Sequence, residues 1–423
     1  MHGFCVPFIV VGFILTTFTP LTATANSDGE GDVSTESQAA VTSSGEGVTV
    51  ELGATLRPRV EGRFNQHFEL PESELNYPHQ PYAADSFSQQ TRLMADIDAD
   101  RVSAHLTLQH TSQWGDFGGD ELTHPPLHIY EARLRYHPSQ RLFVDIGRFE
   151  LAYGDLRVLG NVGWSQIGRS WDGLRLGIRS REALDLDLFA TSYADGDEGF
   201  LDDDSFLFGA YATLNEPFGA LLDTLDLYLL YDLEAFDNAE GRDLYMVGTR
   251  LDAGAGDFDF NAEGGIQLIS SIRPDNEWAY FYDLEISHPI DTSRIFVGHS
   301  MASGDDPDSD LTAYDQLYPT AHAWMGYMDL VGPRSNLMEL RGGLQTHLGP
   351  ASLEAKAHLF QRLQPDSEIV GTELNAKLFA PLTEHLTLGI GGGLFFGGDG
   401  LSPTDTAPEG VAAWGFSQLA AEF

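Results

Sequence analysis

Guanidinium groups at alternate positions of otherwise apolar stretches are the first chemistry this chain offers. Arg133 and Arg135 stand in "YEARLRY", Arg175 and Arg179 in "WDGLRLGIR", and Arg341 in "MELRGGL". Lys356 stands in "LEAKAHLF", and carboxylates keep the same company at Glu131 and Glu339. A guanidinium stays charged at any working pH and pairs bidentately with a carboxylate. Such a set suits two tasks: holding an anionic solute, or neutralising acids such as Glu131, Asp185, Asp187 and Glu339. Charged side chains of this kind set selectivity where they line a pore. On the residues alone both tasks stay open.

Two other patterns compete for attention. Asp305, Asp306, Asp308 and Asp310 crowd "SGDDPDSD", and calcium takes six to eight oxygen ligands, so this loop is a candidate calcium site. It is equally a solvated acidic loop, and Leu311 stands where an EF-hand needs its glycine. "GHSMA" nearly matches a G-x-S-x-G nucleophile elbow around Ser300. That elbow needs a strand, a sharp turn and a helix, whereas here an acidic loop follows. His322 in "PTAHAW" reads as a hydrogen-bonded loop residue rather than a metal ligand, and no cofactor is expected.

The elements that position these groups are strands. Successive side chains of a strand point to opposite faces, so a period of two in polarity marks one. About eighteen such segments follow one another between Val48 and Phe423, most near the 9–11 residues of a tilted membrane-crossing strand. Their connections alternate strictly. "ADAD", "HPSQ", "SREA", "AGAGD", "PIDTS", "LGPAS" and "APLTEH" are tight turns, while 61–86, 150–170, 302–335 and 396–412 are long and polar. The expected fold is all-β: a transmembrane antiparallel β-barrel with short periplasmic turns and long extracellular loops.

Parity then assigns faces. Met338, Leu340, Leu344 and Leu348 are expected toward lipid, with Glu339, Arg341, Gln345 and His347 toward the lumen. In 127–137, Tyr130, Ala132, Leu134 and Tyr136 are expected outward, with Glu131, Arg133 and Arg135 inward. Gly177 and Gly343 fall on the lumen parity, where polar replacements are expected to be tolerated. The six tryptophans fall in long loops or at the strand ends beside them, as an aromatic girdle or loop packing requires.

The 423 residues carry a formal net charge of −41, which excludes a nucleic-acid partner needing a basic stripe. The single cysteine, Cys5, lies in an apolar N-terminal run that ends in "ATA". Residues 1–25 read as a secretory signal peptide and 26–47 as a disordered mature N-terminus, leaving 48–423 as the barrel.

Two blocks carry a family resemblance: "GRFELAYGDLRVLGNVGWSQIGRSWDGLRLGIR" (147–179) and "SGDDPDSDLTAYDQLYPTAHAWMGYMDLVGPRSNLMELRGGL" (303–344). They resemble the bacterial alginate-export family of outer-membrane proteins. The resemblance implies an eighteen-stranded barrel that passes an anionic polysaccharide or related solute. It adds Arg148 and Arg157, which bracket "FELAYGDL", to the pore-lining candidates. The implied partners are outer-membrane lipid, the assembly machinery of that membrane and a small polar or anionic saccharide. The inward parity carries acids and bases in comparable numbers, so a porin with a charge-balanced lumen is the alternative. A barrel-embedded hydrolase using Ser300 and an adhesive barrel with a closed lumen stand behind it. Every one of these short turns is tight, so no periplasmic plug is expected.

Overall fold

A computed structural model describes residues 41–45, 47–65, 83–114, 127–180, 183–193, 205–233, 243–270, 277–306, 309–332, 334–365, 367–400 and 411–423. Residues 1–25, expected as a signal peptide, residues 26–40 of the expected disordered N-terminus, and Asp308 lie outside these residues. Eighteen antiparallel strands form the wall. They are β1 (Val48–Phe64), β2 (Ala83–Ala99), β3 (Val102–Gln113), β4 (His128–Ser139), β5 (Leu142–Phe149) and β6 (Trp171–Arg179). Next come β7 (Leu184–Tyr193), β8 (Ser205–Asn215), β9 (Thr224–Leu233), β10 (Asp243–Ala255), β11 (Phe258–Ser270) and β12 (Glu277–Ile290). The last are β13 (Ser293–Ala302), β14 (Leu337–Leu348), β15 (Ala351–Arg362), β16 (Ile369–Thr383), β17 (Leu386–Gly397) and β18 (Val411–Glu422). Each pairs with its sequence neighbour, and β18 pairs with β1, so the sheet closes and the wall has no edge.

Closure sorts the side chains by parity, and the sorting inverts that of a soluble protein. Val247 and Ile266 are cross-strand partners on the outer face, 62% and 61% exposed, whereas Asp145, Asp283 and Glu339 are fully buried within. Trp171 and Trp414 also turn into the lumen, while Trp114 and Trp278 stay exposed.

Four local expectations need correction. Val41–Gly45, placed by composition in a disordered terminus, forms a short strand against Val48–Leu52. β1 runs on to Phe64, taking Glu61 and Arg63 from the expected loop into the wall. Tyr130 faces the lumen, not lipid: Thr107 opposes Glu131 and Leu108 opposes Ile129, leaving Tyr130 as the extra residue of a bulge. Gly177 and Gly343 are not open positions. A Cβ at Gly177 would lie 2.0 Å from the Phe143 ring, and one at Gly343 would lie 2.5 Å from the Phe296 ring.

Glycine on one strand thus seats an aromatic ring from the next. Gly177→Ser is expected to displace Phe143 and lower the unfolding temperature, since overpacking costs about 1–3 kcal/mol. Gly254→Ser, where the nearest atom to a new Cβ is Asp223 Oδ2 at 3.9 Å, serves as control in the same thermal melt.

Two long connections turn inward instead of out. Loop A (150–170) and loop B (303–336) meet inside the barrel, where Leu159 and Tyr318 form a parallel bridge. One apolar cluster packs Leu151, Val158 and Leu159 of loop A against Phe189, Leu230, Met246 and Phe281 of the wall. A second packs Met325, Tyr327, Met328 and Leu330 of loop B against Phe360, Phe395, Trp414 and Phe416. These two clusters pack part of the lumen like a core.

Candidate functional site in the lumen

The inward arginines fall into two groups. The first occupies the wall formed by β4, β5 and β6. The carboxylate of Asp145 accepts Arg135 Nε at 2.6 Å and Arg175 Nη2 at 2.8 Å, and Arg133 approaches it at 4.0 Å. Three guanidiniums therefore share one carboxylate. Arg179 completes the patch, bonded to Asp187 at 2.6 Å with Asp185 at 3.9 Å. The Phe143 ring lies beneath them, 3.9 Å from Arg135 and 4.9 Å from Arg179. The spacing follows from the register, because Arg135 opposes Asp145 on one side and Arg175 opposes it on the other.

The second group is sunk in acid. Arg341 on β14 bonds Asp283 at 2.7 Å, Glu285 at 3.1 Å and Glu339 at 3.2 Å. Arg157 of loop A reaches Asp155 at 2.5 Å, Glu263 at 3.3 Å and Asp283 at 3.3 Å. Arg334 of loop B reaches the same Asp283 at 3.3 Å. Burial alone would lower the Arg157 pKa, but Asp283, Asp155 and Glu263 hold it above the ordinary arginine value. Burial would raise Asp155, yet Arg157 and Arg250 hold it below the usual carboxylate range. Both groups therefore stay charged, and Arg157 joins loop to wall.

The remaining candidates fall in different places. Glu131 accepts from His105 at 3.3 Å and from the Glu150 amide. Burial, with Glu131 close by, pushes the Glu150 carboxyl up, and Tyr130 Oη donates to it at 2.5 Å. Lys356 pairs with Glu354 at 3.1 Å and lies over the Tyr327 ring. Arg148 does not line the pore: it shares the outward parity of Ile146 and pairs with Asp172 at 2.5 Å on the outer face near the long-loop end. Glu339 accepts from Ser300 Oγ at 3.0 Å and contacts His358 Nδ1 at 2.5 Å. Ser300 lies within β13, so the turn and helix of a nucleophile elbow are missing around it.

Two of the calcium candidates are held by neighbouring protein donors. Asp305 Oδ1 accepts from Thr312 Oγ1 and the Ala313 amide, and Asp306 accepts from Ser309. Among the described residues no group of three His, Cys, Asp or Glu is placed to hold a metal ion. His322 contacts Asp329 at 2.9 Å and stacks on Trp164 at 4.5 Å.

Several residues at the heart of the site escaped the sequence reading. Arg57 and Arg59 of β1 donate to loop A, and Arg63 donates to the Met328 carbonyl of loop B. Arg92 lies 4.0 Å from the Tyr130 ring centre. The alternating arginines of "RPRVEGR" carried the same period-two signal as those chosen. Asp283 had only its parity to mark it.

With this geometry in view, the comparisons with known proteins decide the family. The family model for alginate export matches residues 51–381. The chain belongs to the alginate-export family. Among curated proteins nothing matches significantly. Of solved structures, OccK11 (OpdR) of Pseudomonas aeruginosa is similar at 11% identity and a TM-score of 0.61, covering 88% of this chain and 96% of that one. A BenF-like porin from Pseudomonas fluorescens Pf-5 is similar at 10% identity and a TM-score of 0.62, covering 88% and 98%. OccK2 (OpdF) of Pseudomonas aeruginosa, solved in complex with glucuronate, shows 11% identity, a TM-score of 0.61 and coverage of 88% and 98%. At such identities the likeness is one of fold. This alginate-export family member is a bacterial outer-membrane β-barrel channel.

Proposed function

We propose that the channel passes a small or oligomeric anionic saccharide, or a related carboxylate, along the arginine-bearing wall of β4 to β6. The observation that carries this reading is the sharing of Asp145 by Arg133, Arg135 and Arg175. Around Asp145 three guanidiniums face one carboxylate, a locally cationic spot where a confined lumen screens charge less than bulk solvent does. A solute carboxylate finds donors there that stay charged at every pH. The glucuronate complex of OccK2, a protein of the same fold, agrees with such a cargo.

Reversal potentials in a potassium chloride gradient, together with liposome uptake of glucuronate against glucose, test the reading. Wild type is expected to prefer anions. Arg133→Ser with Arg135→Ser is expected to move the reversal potential toward cations and to slow glucuronate uptake more than glucose uptake. The control is exposed Arg141 in the turn between β4 and β5. Equal shifts from both sets, or none from either, would show that these arginines only balance charge.

A further inference from the structure

Among the short turns at one end of the barrel, the one between β8 and β9 stands apart. Residues 216–223 read "EPFGALLD", whereas polar pairs such as Asp100 with Arg101, Asp291 with Thr292 and Glu384 with His385 serve elsewhere. Phe218 and Leu221 are 69% and 76% exposed, the highest values of any large apolar side chain among the described residues. The backbone beneath them is bonded. The Glu216 amide donates to the Asp223 carbonyl at 2.8 Å, Gly219 to Glu216 at 3.0 Å and Leu222 to Gly219 at 3.2 Å. Gly219 takes a φ of +65°, which glycine adopts at no steric cost. The Asp223 amide donates to the Asp252 carbonyl of β10 at 2.9 Å and ties the turn to the wall.

The turn continues the lipid face. Leu214 and Leu225 are cross-strand partners at its base and share the outward parity of Leu227, which is exposed. Phe258 and Phe260 of β11 are exposed on the outer face at the same end, opposite Ala255 and Ala253 of β10. Aromatic rings at this level form the girdle by which a barrel meets the membrane interface. The charges flanking the turn, Glu216 and Asp223, are acids, so attraction to a surface comes from apolar burial and not from anionic lipid. We infer that turn 216–223 is a membrane anchor, with Phe218 and Leu221 set into the headgroup–acyl boundary of the leaflet on the short-turn side. A zwitterionic lipid surface is the partner that this chemistry fits.

Large apolar side chains held out by a bonded backbone mark a contact surface, and this one borders lipid. Burial of a phenyl and an isobutyl group in the boundary region stabilises the inserted state. The turn stands on one side of the wall, so the anchor fixes the height of the β8–β9 sector against the bilayer. Nothing in it depends on which solute the lumen passes.

The test is fluorescence of the full-length protein in phosphatidylcholine vesicles, with bimane on an introduced cysteine. Cys5 is the sole cysteine of the chain, so wild type labelled in parallel supplies the background. Leu221→Cys places the probe on the turn, Val247→Cys on the lipid face of β10, and Thr292→Cys on the polar turn between β12 and β13. The quenchers are a doxyl group on the lipid acyl chain near the headgroup, and iodide on both sides of the bilayer. Bimane at 221 is expected to be quenched several-fold more by doxyl lipid than by iodide, as at 247, with the reverse at 292. Heat-modifiable electrophoretic mobility confirms folding of each variant, and Phe218→Cys takes the place of Leu221→Cys should the latter not fold.

Iodide quenching at 221 equal to that at 292 leaves the turn in water and overturns the anchor. Protection from both quenchers places the turn against protein, a second copy included, and overturns it too. Doxyl quenching that appears only after anionic phosphatidylglycerol is added overturns apolar anchoring on zwitterionic lipid. Phe218→Ser with Leu221→Ser is expected to lower the urea midpoint of the vesicle-inserted barrel, and Thr292→Ser to leave it in place. Equal midpoints for wild type and the double variant would remove the turn as a stabilising contact with the membrane.

Discussion

Asp283→Asn is expected to unseat the two lumen loops and raise both open probability and mean conductance, read as current through single channels. The carboxylate of Asp283 is fully buried and accepts from Arg341 at 2.7 Å, with Arg157 and Arg334 each at 3.3 Å. Arg157 belongs to loop A and Arg334 to loop B, so one wall side chain holds both. Removing one member of a buried charge cluster typically costs about 3–5 kcal/mol, because the remaining charges lose their compensation. The wall resists this loss through its closed ladder of backbone hydrogen bonds, so the cost falls on the loops. A change of that size is about two to three and a half powers of ten in the closed-to-open ratio. Asp259→Asn, at an exposed position on β11, is the matched control. Unchanged conductance in Asp283→Asn would mean that the loops are seated by their apolar clusters alone.

The second large effect concerns assembly. Leu344 and Gln345 are neighbours on β14 and point to opposite sides of the wall. Leu344 is exposed on the lipid face, whereas Gln345 donates to Glu354 at 2.6 Å within the lumen. Leu344→Arg places a charge in hydrocarbon at roughly 2–4 kcal/mol near the bilayer midplane. Gln345→Arg places the same charge beside Glu354. Heat-modifiable electrophoretic mobility is expected to show little folded Leu344→Arg and near-normal Gln345→Arg. If both fold equally, the strand faces the other way.

That second prediction was already legible in the sequence, because parity is local. Alternation of Met338, Leu340 and Leu344 with Glu339, Arg341 and Gln345 needs only one strand to be seen. The alternation of tight turns and long loops is equally local, and together they determined barrel, strand order and membrane. Even Arg148 could be placed: its parity with Val144 and Ile146 puts it outside, although the family-like block around it suggested the pore.

What tertiary structure alone decided is who meets whom. Arg157 and Asp283 are bonded across more than a hundred residues of chain, and so are Arg57 and Ser165. No periodicity carries such a distance. Tyr130 turned inward because a single extra residue flips parity, and its neighbours across β3 decided where that residue falls. Loops A and B were long and polar enough to be read as surface. They entered the lumen because wall side chains such as Asp283, Glu263, Arg57 and Arg59 gain further partners from them, and because Leu159, Met325 and Met328 found apolar wall residues to bury against. Buried charge must find partners, and inside a closed wall the chain's own loops added to those that neighbouring strands supplied.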